Sequence, residues 1–295
     1  MTTNIERLGK PLTSPLIIAA LLFSTSACSN PSSVNTSNDA AESKETQTSK
    51  ADVKISDAQI SVEKPDFSTA EIATFDEPWA MAALPSTDSK PPKLLVTQKT
   101  GELFIVDTST GAKTRVNGVP EVAYGGQGGL GDIIVAPDFA TSNTVYLSYV
   151  EADTGGDSNT FGAKVIKATL SGLETDTPML QAIAPIWEQS PKVKGQGHYS
   201  HRLLFSPDGR YLYISSGERQ EKTPAQDMSV NLGKIIRLNA DGSIPADNPF
   251  LDNTNDIAKQ FWTIGHRNVL GMTFDDSGQL WAHEMGPRGG DEFKR

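Results

Sequence analysis

The sequence predicts an all-β fold of propeller type, and three observations predict it. Short apolar strands alternate with turn residues along most of the chain, and no long stretch carries helical periodicity. The strand-turn-strand units resemble one another. Their spacing is regular: Pro137 and Pro207 stand 70 residues apart, and Gly209 and Gly278 stand 69 apart. A small antiparallel sheet cannot hide both of its faces alone, so repeats at this spacing stack as blades. A β-sandwich would use similar strands without making them alike.

The elements follow in order. Pro78-Trp79-Ala80-Met81 reads as the first buried strand. Residues 94–106 (LLVTQKTGELFIV) form a strand, a glycine turn and a second strand. Ile133-Ile134-Val135-Ala136-Pro137-Asp138-Phe139, followed by Thr144-Val145-Tyr146-Leu147-Ser148, is a looser copy of that plan. Residues 203–214 (LLFSPDGRYLYI) repeat it, and residues 271–281 (GMTFDDSGQLW) repeat it again.

Ahead of this body lies a different kind of sequence. Arg7 and Lys10 precede an apolar run over residues 16–23, too short to span a bilayer but suited to the core of a signal peptide. Ser24-Thr25-Ser26-Ala27 then leads into Cys28, the only cysteine. This resembles a bacterial lipoprotein box, in which the cysteine is lipidated and becomes the mature N-terminus. Plain secretory cleavage after Ala27 is the alternative. Either route places the mature protein outside the cytoplasmic membrane, and Ser29 after the cysteine implies a periplasm-facing outer-membrane anchor in a Gram-negative host. Residues 28–61 are mostly small, polar or charged and cannot bury enough surface to offset ordering entropy, so they are expected to form a disordered tether. The propeller domain is expected over residues 62–295. The net charge of -10 and pI near 4.9 exclude a basic nucleic-acid footprint. A single cysteine excludes an internal disulfide and a cysteine-based metal cluster.

Candidate chemistry gathers in the glycine-rich loops. The four histidines, His198, His201, His266 and His283, all fall in the second half. An imidazole ordinarily titrates near neutrality and can serve as a general base. Residues 195–202 (GQGHYSHR) precede a repeat strand, and such loops collect at one end of a propeller. Gly125-Gly126-Gln127-Gly128-Gly129 offers one amide side chain among glycines. Gly265-His266-Arg267-Asn268 sets a guanidinium beside an amide, a pair suited to ligand carboxylates. Residues 284–292 (EMGPRGGDE) read either as an ordinary turn or as a loop whose carbonyls converge on a hard cation such as calcium.

Taken in order, GGQGGL, GHYSHRL, GKIIRLNADGSIPADNPF, GHRN and EMGPRGGDE resemble the glucose/sorbosone dehydrogenase family, in particular its soluble aldose sugar dehydrogenases. The resemblance runs from about Phe75 to Glu292. It implies a six-bladed propeller, of which this chain covers roughly the first four blades and is C-terminally incomplete. The implied cofactors are pyrroloquinoline quinone and calcium. The implied partners are an aldose sugar and an electron acceptor, namely a quinone pool, a cytochrome or a dye. By position, His198 matches the base that takes the anomeric hydroxyl proton while hydride passes to the quinone. Gln127 matches a residue contacting cofactor or substrate, and Arg267 and Asn268 match the quinone-binding pair. The carbonyls of Gly286 and Pro287 match ligands of the catalytic calcium, and Glu292 matches a ligand of a second, structural calcium. Arg202 is expected to support its loop. Gly197 departs from the acidic residue of glucose-specific members, so glucose selectivity is not implied, and Met285 replaces a polar residue beside the calcium turn. A propeller that binds a ligand or partner without redox chemistry, and a calcium-dependent lactonase using Asp291 and Glu292, are the competing functions.

Overall fold

The computed structural model describes residues 68–86, 91–155 and 159–295, which belong to one unit spanning Asp66–Arg295. The signal segment, Cys28 and the expected tether lie outside the described residues.

Four antiparallel sheets make up the described body. Blade 1 contains β1 (Pro78–Ala83), β2 (Lys93–Gln98), β3 (Glu102–Asp107) and β4 (Lys113–Arg115). Blade 2 contains β5 (Leu130–Val135), β6 (Thr144–Ala152), β7 (Phe161–Ser171) and β8 (Met179–Glu188). Blade 3 contains β9 (Ser200–Phe205), β10 (Tyr211–Ser216), β11 (Lys234–Asn239) and β12 (Phe261–Ile264). Blade 4 contains β13 (Val269–Phe274), β14 (Leu280–Glu284) and β15 (Glu292–Lys294). Within each blade every strand pairs with the next in sequence, a meander. The first strands β1, β5, β9 and β13 pack side by side from blade to blade, the propeller-like arrangement the repeats predict.

The core lies between the blades. Along β6, Val145 and Leu147 face the blade 1 side and Tyr146 the blade 3 side. Along β10, Leu212 and Ile214 pack toward blade 2 while Tyr213 packs toward blade 4. Side chains alternate between faces with period two, so a strand sandwiched between two blades must be apolar on both faces. This is why the middle strands read as continuous apolar runs rather than as alternating ones. Each fully buried Leu or Ile contributes about 1.5–3 kcal/mol.

The turns explain why the hairpins look alike. In the β13–β14 turn the Asp275 carboxylate accepts the N–H groups of Ser277 (2.9 Å) and Gln279 (3.0 Å), and Gly278 takes a φ of 79°. Hydrogen bonds from the hydroxyl of Ser277 and the indole of Trp281 hold the Asp275 pKa down to about 2.

Two expectations change in detail. The unit over residues 94–106 is the β2–β3 hairpin, whereas the other three units are first and second strands, so the likeness belongs to hairpins and not to fixed blade positions. β1 is only half buried, with Met81 71% exposed.

Candidate active site

In a meander the beginning of the first strand and the end of the second lie at the same end of the blade. Residues 125–129 before β5, 195–199 before β9, 217–222 after β10, 265–268 before β13 and 285–291 between β14 and β15 are therefore brought to one end. All the glycine-rich motifs noted in the sequence fall in these loops.

His198 is buried, and its backbone N–H donates to the Gln127 side-chain carbonyl at 2.7 Å. Its ring Nδ1 is hydrogen-bonded to the carboxylate of buried Glu218. Facing a carboxylate, Nδ1 is the donor, and Nε2 of the neutral ring is left as an acceptor. Glu218 is itself fixed: its other oxygen accepts the Lys222 N–H at 2.8 Å, and its backbone N–H donates to the Arg267 carbonyl at 2.9 Å. Gly217 is required here by close approach, because a Cβ at that position would lie 1.9 Å from the His198 carbonyl oxygen. Left-handed backbone is concentrated in these loops and at the start of β9, at His198, Ser200, His201, Arg219, Gln220 and Lys222, all with φ between 50° and 67°. Such conformations are costly for residues with a Cβ and persist where surrounding contacts fix them.

Arg219, which is 1% exposed, braces the stretch that runs into these residues. It donates to the carbonyls of Gly197 (2.9 Å), Gly195 (2.7 Å) and Phe161 (2.5 Å), and its guanidinium stacks 3.6 Å from the Tyr199 ring centroid. Burial pulls its pKa down to about 10, which leaves it charged at neutral pH. The His198 loop is thus tied by its carbonyls to one buried cation. His201 lies just beyond, fully buried, with Nδ1 2.8 Å from the Ser148 hydroxyl and its ring stacked on Trp79. Burial, aided by the cations Arg202 and Arg219, lowers its pKa to about 3, so it is neutral at ordinary pH. Arg202 bonds Asp132 at 3.1 Å and covers the Trp79 ring.

A cavity of about 520 Å³ is lined by His198, Glu218, Lys222, Arg267 and Pro287 among others. Gln127 and Asn268 line a smaller one of about 280 Å³, with Trp79, His201 and Met285. The Arg267 guanidinium donates to the Met285 carbonyl at 2.7 Å, and the buried Asn268 accepts from the Ser200 hydroxyl at 3.1 Å. In the last loop the Gly286 N–H donates to Asp291 at 2.8 Å, and the Pro287 carbonyl accepts the Gly290 N–H at 3.2 Å. A carbonyl oxygen has a second lone pair, so Pro287 keeps capacity for a cation. Glu292 lies on β15, with its carboxylate paired to Lys294. No group of three or more His, Cys, Asp or Glu is assembled among the described residues.

The structure thus unites His198, Arg267 and Pro287 in one cavity and reaches Gln127 through the backbone of His198. Sequence reading missed Glu218 and Arg219, and it gave Glu284 no role within its motif. Glu218 and Arg219 follow the apolar strand β10 after a single glycine, Gly217, and a charged pair in that position was the available signal.

Fold and site together define an all-β protein of propeller-like arrangement with a candidate ligand site at one loop end. The chain belongs to the glucose/sorbosone dehydrogenase family, whose sequence model matches residues 75–295. It is 39% identical over 219 residues to aldose sugar dehydrogenase YliI of Escherichia coli (strain K12), covering 74% of this chain and 56% of that protein. It is 30% identical to quinoprotein glucose dehydrogenase B of Acinetobacter calcoaceticus, over 68% of this chain and 45% of that one. The crystal structure of the soluble aldose sugar dehydrogenase of Escherichia coli, in the apo-form, superimposes with a TM-score of 0.67 at 38% identity, covering 74% of this chain and 60% of that one. The PQQ-bound form of aldose sugar dehydrogenase from Streptomyces coelicolor gives 0.63 at 30% identity, covering 75% and 60%. The chain spans about half the length of the curated relatives it matches.

Proposed function

We propose that the protein oxidises aldose sugars at the anomeric carbon to lactones, with pyrroloquinoline quinone and calcium as cofactors and His198 as the base. One observation carries this reading: a histidine oriented by a buried carboxylate shares a cavity with a guanidinium and a carbonyl-bearing turn. The donor set suits the cofactors. The quinone is a planar tricarboxylate, and Arg267 and Lys222 bring positive charge to the cavity wall. The carbonyls of Gly286 and Pro287 are hard oxygen donors of the kind calcium takes. When bound, the quinone accepts two electrons as hydride, and the calcium polarises its carbonyls as a Lewis acid.

The chain's own residues do the rest. Nε2 of His198 takes the proton of the anomeric hydroxyl as the C1 hydrogen leaves with its electron pair, so the sugar loses two electrons and two hydrogens overall. Glu218 keeps the ring in the tautomer that leaves Nε2 open and stabilises the imidazolium that forms. Gln127 fixes the backbone of His198, and Arg267 and Asn268 hold the quinone. Glu292 is proposed to hold a second, structural calcium. We propose further, on the family resemblance and the N-terminal sequence, that these blades belong to a six-bladed ring anchored through a lipidated Cys28 on the periplasmic side of a membrane.

The test is reconstitution with pyrroloquinoline quinone and calcium, followed by dye-coupled oxidation of a panel of aldoses. Turnover that disappears on chelation of calcium and in His198→Ala supports the reading. Quinone binding without oxidation of any aldose would instead favour a ligand-binding propeller.

A further inference from the structure

Glu284 is the last residue of β14, 3% exposed, and no cavity described above is lined by it. Its carboxylate nevertheless organises the turn that carries Arg267 and Asn268. One oxygen, Oε2, accepts the backbone N–H of Arg267 at 2.5 Å and that of Asn268 at 3.1 Å. The other, Oε1, is paired with the Lys294 ammonium and lies 3.5 Å from Nδ1 of buried His266. Two further bonds close the unit: the Met285 N–H donates to the Asn268 carbonyl at 3.1 Å, and the Arg267 guanidinium donates to the Met285 carbonyl at 2.7 Å. The turn before β13 and the turn after β14 are therefore braced against each other at a single buried carboxylate, with Gly286 and Pro287 immediately beyond it.

We propose that Glu284 is a positioning residue that couples the quinone-binding pair to the calcium turn, so that each site depends on the other through it. The proposal rests on the quinone and calcium reading above. Its physical basis is the division of labour between the two carboxylate oxygens. A carboxamide at this position has only one acceptor oxygen. If that oxygen serves the two backbone N–H groups, the NH₂ faces the Lys294 ammonium; if it serves Lys294, the NH₂ faces the two N–H groups. In the first orientation the Lys294 ammonium, a third exposed, loses its partner, and the two backbone bonds lose the carboxylate charge that strengthens them; in the second, two buried N–H groups face a donor and the turn must shift to relieve it.

The experiment compares the wild-type chain with Glu284→Gln and Lys294→Met. Binding of pyrroloquinoline quinone is followed by its absorbance at fixed and at varied calcium, and backbone hydrogen exchange is measured over residues 265–270 and 284–287 without cofactor. The expected result for Glu284→Gln is a loss of about tenfold or more in quinone affinity and a matching rise in the calcium needed, the size typical of a lost supporting bond. Both segments should exchange faster, while residues 195–199 exchange as in the wild type. Lys294→Met leaves both backbone acceptors in place and should bind quinone within about twofold of wild type. Unchanged exchange at residues 265–270 in Glu284→Gln overturns the proposal, as does an equal loss in Lys294→Met. If the wild type binds no quinone, the functional reading fails, and the exchange data still decide whether Glu284 holds the two turns. Should Glu284→Gln fail to fold, Glu284→Asp, one methylene shorter and still anionic, replaces it with the same outcomes read.

Discussion

The Glu218 carboxylate holds Nδ1 of His198, and both side chains are buried although they stand twenty residues apart in sequence. This bond sets which ring nitrogen faces the cavity. Glu218→Gln is expected to lower kcat by about 10²–10⁴-fold, the range for impaired general-base catalysis, because the amide no longer enforces one tautomer. Quinone affinity should be unchanged, since Glu218 sits with the base. Dye-coupled kinetics alongside quinone titration checks both halves of the prediction.

Arg219 supports the His198 loop through the main chain. Its guanidinium satisfies three carbonyls that no lysine ammonium could reach together in that planar geometry. Arg219→Lys should destabilise the fold by about 2–4 kcal/mol, from lost charge-assisted bonds and unsatisfied carbonyls. Urea denaturation measures this, and a stability within error of the wild type would contradict the clamp.

The proposed calcium turn leaves no room for a side chain at Gly286. A Cβ on Gly286 would lie 1.7 Å from the Gly290 carbonyl oxygen, a backbone atom that cannot swing aside. Gly286→Ala is therefore expected to weaken calcium binding by about tenfold or more, with little effect on the remote blade 1. Calorimetric titration with calcium in the presence of quinone is the measurement.

Acid sensitivity follows from His201. Folding holds its pKa near about 3, below the ordinary histidine value of about 6.5. The unfolded chain thus binds a proton that the folded chain excludes, and stability rises with pH across this window. The contribution is fully present above the unfolded value and is lost as pH falls toward the folded one, at up to about 1.4 kcal/mol per pH unit. His201→Gln should flatten the dependence between pH 3 and 6.5, as read from denaturant midpoints at a series of pH values.

The strand-turn-strand hairpins were legible in the sequence, though not their places within the blades. Apolar runs such as residues 203–214 and turns such as Asp275 to Gly278 act within a few residues of one another, so local pattern and turn chemistry were enough to read them. The sequence also placed His198, Arg267 and Pro287 on loops that a meander carries to one end. What it did not show was which charges those loops would bury. Glu218, Arg219 and Glu284 look like ordinary polar residues at strand ends, and each acts on groups from 16 to 58 residues away. Glu284 shows why. Its neighbours in sequence are strand residues of blade 4, but its partners are two backbone N–H groups before β13 and an ammonium on β15. A carboxylate removed from water must find donors in the fold, and only the tertiary structure decides which donors those are.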